Sequence, residues 1–259
     1  MRTLRLLVEY DGTRYAGWQR QSAVPSVQGA LEDAARSLFQ APTGVVGAGR
    51  TDAGVHALAQ VAHLITESRL PVERIQAGLN ALLPDDIIVH DVVEVLPGFH
   101  ARRDARLRIY RYVVLARSRP SALLRRYAFH VPLPLDLDAM RAAAAHLVGR
   151  HDFAAFRVAG TKTATTICTV TALRVERRDD NLVFTVAADR FLRQMVRRAV
   201  GTLLRVGKGE LAADAVRAIL ESGDNQRAGP AAPAHGLYLV HVAYDARGPA
   251  SGADAGPVL

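Results

Sequence analysis

Strand-like and helix-like patterns alternate along this chain in two successive series, and this alternation limits the folds that it can adopt. The first series has an apolar strand pattern over Leu4–Glu9, a helix that follows Ser26 and a second helix that starts at Pro71. The second series begins with a strand over Leu107–Leu115 and ends with one over Gly236–Tyr244. Because both halves mix the two kinds of element in similar proportions, we predict an α+β fold with mostly antiparallel sheets.

We expect two domains of similar size, residues 1–104 and residues 105–245. The chain has 259 residues, of which 49% are hydrophobic, and this suffices for one large core or two modest ones. Residues 246–259 are mostly Gly, Ala and Pro, with almost nothing to bury, so this tail is predicted to be disordered.

The sequence shows no sign of export or membrane insertion. The N-terminal apolar run is too short for a secretory signal, and no stretch approaches the roughly 18 consecutive apolar residues of a spanning helix. Cys168 is the single cysteine, which excludes an intrachain disulfide and a thiolate metal cluster. We therefore expect a cytoplasmic protein that does not bind membranes.

The chain is strongly basic, and its basic residues are nearly all arginine. The formal net charge is +8, and all but two of the 33 Lys and Arg residues are Arg. Base composition of the coding DNA is one explanation. The other is a polyanionic partner, most plausibly nucleic acid, because guanidinium groups bind phosphates bidentately and stack on bases.

The glycine-rich stretch GAGRTDAGVHA at 47–57 looks at first like a phosphate-binding loop. The dinucleotide fingerprint requires a glycine at its sixth position, and Asp52 stands there, where a carboxylate would repel a pyrophosphate. No GxxxxGK[ST] motif occurs either. Two interpretations of Asp52 stay open: an Asx turn that satisfies a loop amide, or a functional carboxylate on a rigid loop.

Arginines and aromatic residues suggest contacts with nucleic acid in the second half of the chain. A helix predicted from Phe191 to about Val206 places Arg190, Arg193 and Arg197 on the side opposite its apolar stripe. This spacing is typical both of a solvated face and of phosphate contacts, and it does not single out Arg197.

Tyr110 lies on the strand over 107–115 among arginines that include Arg108. A ring beside guanidinium groups suits base stacking, and core packing of Tyr110 explains the pattern equally well. The histidines form no HExxH motif or other ligand pair one helical turn apart, which argues against a zinc site.

Several motifs match one family in order along nearly the whole chain. They are YDGTRYAGWQRQ at 10–21, SVQGALEDA at 26–34, GRTDAGVHALAQVAH at 49–63, LNALLPDDI at 79–87, FHAR at 99–102, RIYRYVV at 108–114, HDFAAFR at 151–157, FLRQMVRRAVG at 191–201 and AAPAHGLYLVHVAYD at 231–245. On these motifs the chain resembles the tRNA pseudouridine synthase A family.

The resemblance implies the pseudouridine synthase fold, with two mixed halves arranged around a central basic cleft. It implies an isomerase that converts uridine to pseudouridine at positions 38, 39 and 40 of the tRNA anticodon stem-loop. It also implies that the enzyme needs no cofactor and no metal, and that it is a homodimer whose tRNA lies across both subunits.

The resemblance also assigns roles to particular residues. Asp52 matches the catalytic nucleophile, Tyr110 the tyrosine that stacks on the target uracil, and Arg197 the arginine that pairs with the aspartate. Arg50 matches the arginine two residues before that aspartate. A buried carboxylate stays ionised only beside a cation, which is the chemical reason for such an arginine.

Further arginines are expected to bind the substrate, and the loop glycines are expected to let a flipped nucleotide approach closely. The expected contacts are Arg108, Arg190 and Arg193. Two departures from the family pattern, Arg103 and Cys168, lie outside the catalytic set and affect only the expected RNA contacts.

Three other functions are alternatives to this one. A synthase acting on other RNA sites remains open. A non-catalytic RNA-binding protein would be expected to lack the aspartate or its arginine, and both are present. A hydrolase with a metal on Asp52 would need a second carboxylate nearby, and Asp85 and Asp86 are better explained as a turn after a helix-ending proline.

Overall fold

A computed structural model of the chain describes residues 1–160 and 163–244. The strands in these residues are β1 Arg2–Tyr10, β2 Val45–Gly47, β3 His56–Thr66, β4 Ile87–Val95, β5 Leu107–Leu115, β6 Phe129–His130, β7 Gly149–Asp152, β8 Ile167–Arg178, β9 Asn181–Ala188 and β10 Leu237–Ala243. The α-helices are α1 Val27–Phe39, α2 Val72–Leu82, α3 Leu137–Ala145, α4 Met195–Gly207 and α5 Ala215–Ser222. The tail predicted at 246–259 lies outside the described residues.

The structure divides into two compact units. Unit 1 comprises Met1–Arg106 and the described chain from Leu239 onward, and unit 2 comprises Leu107–Tyr238. Most of β10 therefore groups with unit 1, although it lies in the C-terminal part of the sequence. The units are groups of residues in contact, and the division into folding domains at residues 104 and 105 stays a prediction.

Unit 1 combines a sheet with two helices. Its strands lie in the order β4, β1, β3 and β10, with β2 also paired to β3. The pairs whose registers are resolved, β1 with β3, β1 with β4 and β2 with β3, are antiparallel. Helix α1 begins after Ser26, whose hydroxyl accepts a hydrogen bond from the Gly29 N–H at 3.3 Å, as the sequence predicts. Val27 and Leu31 on α1 are fully buried in the core of this unit.

Unit 2 is built in a similar way around the strand order β5, β9, β8 and β7. These neighbours are antiparallel, whereas the short β6 runs parallel to β5. Helix α3 starts after Asp136, whose carboxylate accepts from the Ala139 N–H at 2.9 Å. The predicted α+β class with mostly antiparallel pairing is confirmed.

Helix α4 begins at Met195 rather than at Phe191. Gln194 precedes it with a left-handed backbone, φ 60°, which prevents the helix from extending further back. Arg190 and Arg193 therefore precede the helix, and the predicted alignment of three arginines on one helical face is wrong.

Within residues 1–160 and 163–244, no helix is long and apolar enough to cross a membrane.

Candidate active site

Asp52 lies in the loop between β2 and β3 of unit 1. The Val55 N–H donates to the backbone carbonyl of Asp52 at 3.2 Å, which closes a turn over Ala53 and Gly54. Gly54 has φ +76°, as the third residue of a type II turn requires. The Asp52 side chain is half-buried, while Arg50 is exposed. The turn thus holds a carboxylate at a fixed place on the loop, close to the surface.

A second loop, residues 11–18, runs backbone to backbone along the Asp52 loop. The Trp18 N–H donates to the Thr51 carbonyl at 3.1 Å, and the Gly54 N–H donates to the Tyr15 carbonyl at 3.3 Å. These bonds lie on both sides of Asp52 in sequence, so the position of its Cα is set by main-chain contacts.

Two glycines of the 11–18 loop make this close approach possible. A Cβ on Gly17, which has φ +98°, would lie 2.5 Å from the Thr51 carbonyl oxygen. A Cβ on Gly12 would lie 2.0 Å from the Val55 carbonyl oxygen. Both distances are far below van der Waals contact, so only glycine fits at either position.

The structure gives Gly47 a different role from the predicted approach of a nucleotide. A Cβ there would lie 2.5 Å from the indole ring of Trp18, which is almost fully buried. Gly47 therefore makes room for the tryptophan that follows Gly17, and it helps to dock the two loops.

Two buried side chains outside the loop, those of Tyr10 and Gln60, form hydrogen bonds to it. The hydroxyls of Tyr10 and Thr51 are 2.8 Å apart, and the Gln60 amide nitrogen donates to the Gly49 carbonyl at 2.9 Å. Gln60 is completely buried. The residues on both sides of Arg50 are thus tied to the strands beneath them.

Arg197 occupies the first turn of α4 in unit 2. Its Nε donates to the Ala232 carbonyl at 2.7 Å, and the Ala232 N–H donates back to the Arg197 carbonyl at 3.0 Å. Burial lowers the pKa of the nearby His235, and the positive charge of Arg197 lowers it further to a smaller extent. Arg197 is therefore oriented by the segment that carries Ala232.

Tyr110 lies on β5 with only 7% of its surface exposed. Its ring meets that of Phe191 edge to face, with centroids 5.1 Å apart. The neighbouring Arg108 donates through Nη1 to the Asp189 carbonyl at 2.6 Å. Unit 2 thus brings Tyr110 and the chain just before α4 together.

The other predicted RNA contacts precede α4. Arg190 donates through Nη2 to the Thr163 hydroxyl at 3.4 Å, and Arg193 is exposed. Of the two departures from the family pattern, Arg103 is exposed and Cys168 is buried.

Residue patterns alone give no role to Tyr10, Gly12, Gly17 and Trp18, which hold the 11–18 loop against the Asp52 loop. In the sequence they are only part of the matching stretch YDGTRYAGWQRQ. Two glycines and a tryptophan in a short polar loop signal close backbone packing. Their packing partner is the Asp52 loop, and the hydrogen bond between Tyr10 and Thr51 joins residues 41 positions apart, so local patterns do not reveal it.

Family comparison decides the class of the protein. The family model described as tRNA pseudouridine synthase matches residues 6–102 and 143–245. The chain belongs to this family. The predicted resemblance is therefore confirmed, and so is the predicted enzyme class, an isomerase that acts on tRNA.

Curated relatives of this synthase match it over nearly its whole length. A tRNA pseudouridine synthase A of Acetivibrio thermocellus is 46% identical over 244 residues, which cover 94% of this chain and 100% of the relative. The enzyme of the same name from Thermus thermophilus is 47% identical over 247 residues, covering 94% of this chain and 97% of the relative. That of Methylobacterium nodulans is 47% identical over 241 residues, with coverages of 93% and 95%.

Among the residues that the structure describes, no group of three or more His, Cys, Asp and Glu side chains is placed to hold a metal ion. The metal-free and cofactor-free reaction stays a prediction.

Proposed function

We propose that this synthase isomerises uridine to pseudouridine at positions 38, 39 and 40 of the tRNA anticodon stem-loop, with Asp52 as the nucleophile. The observation that carries the proposal is the half-buried carboxylate of Asp52 on a loop locked by main-chain bonds at Thr51 and Gly54. A nucleophile needs fixed geometry more than mobility, because misplacement by about 1 Å costs on the order of 100-fold in rate.

The reaction needs one well-placed nucleophile and no external energy source. The bond between N1 of uracil and C1′ of the ribose breaks, the base turns, and a bond forms between C5 and C1′. The proton on C5 leaves and N1 regains one, so the product is an isomer of the substrate. A carboxylate can hold the ribose at C1′ or the base at C6 during the interval, and Asp52 serves either route.

Two further residues are proposed to act in the reaction. Arg197 is proposed to pair with Asp52 and to offset the negative charge of the carboxylate when RNA excludes water. Tyr110 stacks on the flipped uracil and replaces the stacking that the base loses on leaving the RNA, worth about 1–3 kcal/mol. The role of Arg197 is supported by its Nε, which donates to the Ala232 carbonyl and so holds the side chain in one orientation.

The remaining arginines are proposed to contact the RNA backbone. Arg50, Arg108, Arg190 and Arg193 would bind phosphates of the stem-loop, which makes affinity depend on salt. We also propose that the synthase is a homodimer with the tRNA across both subunits, and that it works in the cytoplasm. Light scattering of the purified protein at micromolar concentration tests the dimer.

The activity is tested on an unmodified tRNA transcript that carries uridines at positions 38, 39 and 40. The modification reaction is run in the presence of EDTA. Pseudouridines are then mapped by carbodiimide labelling and primer extension. The proteins compared are the unaltered chain, Asp52→Asn, and Asp91→Asn, in which an exposed carboxylate on β4 is removed.

We expect the unaltered chain and Asp91→Asn to modify these positions and Asp52→Asn to bind the transcript without modifying it. Modification at other uridines would correct the proposed sites. Activity that requires a metal would contradict the metal-free mechanism. Loss of RNA binding in Asp52→Asn would mean that Asp52 acts mainly in loop structure.

A further inference from the structure

Residues 228–236, here called the strap, form the last part of the segment between α5 and β10 and lie against α4 in unit 2. Their fit is close enough to exclude side chains at two glycines. A Cβ on Gly201 of α4 would lie 1.9 Å from the Pro230 carbonyl oxygen, and one on Gly229 would lie 2.7 Å from the Thr202 nitrogen. The backbone of the strap therefore packs directly against the backbone of α4.

Hydrogen bonds fasten the strap at its beginning and its middle. The Gly229 N–H donates to the Thr202 hydroxyl at 2.8 Å, and that hydroxyl donates to the Arg198 carbonyl at 2.8 Å. Further along, Ala232 exchanges two bonds with Arg197, one through the Arg197 backbone and one through its Nε. The orientation of the Arg197 guanidinium thus depends on where the strap places one carbonyl group.

Tyr112 fastens the strap immediately after that carbonyl. It lies on β5 with its side chain fully buried, and its hydroxyl donates to the Pro233 carbonyl at 2.7 Å. Gly236 lets the ring approach, because a Cβ there would lie 2.8 Å from the Tyr112 ring. Burial raises the pKa of Tyr112, so the phenol keeps its proton and remains a donor.

We infer that Tyr112 is a positioning residue for Arg197, which it orients by holding the Pro233 carbonyl and, through it, the Ala232 carbonyl that accepts from the guanidinium. The inference rests on the proposed function of Arg197. It assigns to the second tyrosine of RIYRYVV a role distinct from that of Tyr110, whose ring is proposed to touch the substrate.

Tyr112→Phe is the direct test, because it removes the donor and keeps the ring. A misdirected arginine slows the chemical step without changing how the tRNA is held. We therefore expect kcat to fall about 10- to 100-fold while the KM for tRNA changes less than about twofold. A hydroxyl that serves stability alone would lower the urea midpoint and leave kcat unchanged.

Tyr238→Phe is the matched control. Tyr238 is also buried, and its hydroxyl donates to the Tyr127 carbonyl at 2.6 Å, outside the strap. Both variants lose one buried hydroxyl-to-carbonyl bond and should have similar urea midpoints. Only Tyr112→Phe should lose turnover, and an equal loss in both would overturn the inference.

Thr202→Val provides a second route if Tyr112→Phe does not fold. It preserves side-chain shape and removes the acceptor for Gly229. The strap is then loosened at its other end, and we expect kcat to fall with little change in KM. Unchanged kcat in this variant would contradict the idea that the strap orients Arg197.

A double-mutant cycle separates this inference from the proposed function. If Tyr112 acts through Arg197, adding Tyr112→Phe to Arg197→Lys should lower kcat less than twofold further, because the orientation is already lost. If Tyr112→Phe lowers kcat as much in the Arg197→Lys protein as in the unaltered one, the inference is overturned and the proposed function is not affected. Full activity of Arg197→Lys would instead refute the proposed role of Arg197 itself.

Discussion

The Asp52 loop of unit 1 and the Arg197 turn of unit 2 hold their functional groups in different ways. The aspartate is placed by its backbone, since Thr51 and Gly54 are both bonded to the main chain of the 11–18 loop. The arginine is placed by a side-chain bond, from its Nε to the Ala232 carbonyl.

This difference suits the chemistry of the two groups. A short carboxylate has few rotatable bonds, so fixing its Cα fixes its oxygens. A long guanidinium side chain retains several rotatable bonds even on a rigid helix, so it must be held near its end. The backbone-held site should therefore be sensitive to changes that touch only main-chain packing, and the side-chain-held site to changes in single hydrogen bonds.

Gly17→Ala should break the backbone-held site and have the largest effect. The new Cβ would meet the Thr51 carbonyl at 2.5 Å and would force alanine to φ +98°. Overpacking costs about 1–3 kcal/mol and the left-handed backbone about 1–2 kcal/mol more. We expect loss of both stability and turnover, measured by urea unfolding and by pseudouridine formation.

Gly44→Ala serves as the control for that variant, because nothing lies within 4 Å of a Cβ at Gly44. Near-normal stability of Gly17→Ala would mean that the loops separate easily, and the aspartate would then not be held by its backbone.

Arg197→Lys tests the side-chain-held site. Lysine keeps the charge but lacks the Nε that donates to Ala232. We expect kcat to fall on the order of 100-fold, as for the loss of one positioned donor, while the urea midpoint falls less than in Gly17→Ala. Single-turnover rates with the enzyme in saturating excess over tRNA measure the effect, and an unchanged rate would remove Arg197 from the active site.

Substitutions of Tyr110 should lower activity less, and they separate the contribution of its ring from that of its hydroxyl. Tyr110→Phe keeps the ring that meets Phe191, and Tyr110→Ala removes it. If the ring stacks on the uracil, Tyr110→Ala should lose about 1–3 kcal/mol in kcat/KM and Tyr110→Phe much less. Equal, large losses in both variants would assign the function to the hydroxyl instead.

The smallest effect concerns pH and the surroundings of Arg197. Burial lowers the pKa of His235, so folding favours the neutral ring. Stability from this source is complete above the ordinary pKa of about 6.5 and is lost as the pH falls below it, since the unfolded chain then binds the proton more readily.

His235→Gln should accordingly narrow the difference in Tm between pH 7.5 and pH 5.5 by about 1–3 °C. His151→Gln, which changes a half-buried histidine whose Nε2 lies 2.9 Å from the Val148 carbonyl, is the control. An unchanged difference in Tm for His235→Gln would place the acid sensitivity in other groups.

Local patterns place several elements correctly. The strand over Leu107–Leu115 was predicted at its observed bounds, and Ser26 caps α1 as expected. The start of α4 was misplaced because Phe191 continues the apolar spacing of the helix, although its ring packs on Tyr110. Periodicity does not distinguish these two partners, and the left-handed Gln194 carries no sequence signal of its own.

The short strands β2, β6 and β7 were missed for a related reason. Each has only two to four residues, too few for an alternation of buried and exposed positions to appear. They form because a longer neighbouring strand offers them free main-chain groups.

The sequence by itself determined the fold class, the likeness to one family of synthases and the identity of the candidate nucleophile, because these depend on residue types and on motifs of consecutive residues. Only the tertiary structure decided how those residues are held. The pairing of Gly17 with Thr51 and of Tyr112 with Pro233 joins parts of the chain that are far apart in sequence. Such contacts are set by how strands and loops pack, and backbone distances of a few ångströms leave no local pattern in the sequence.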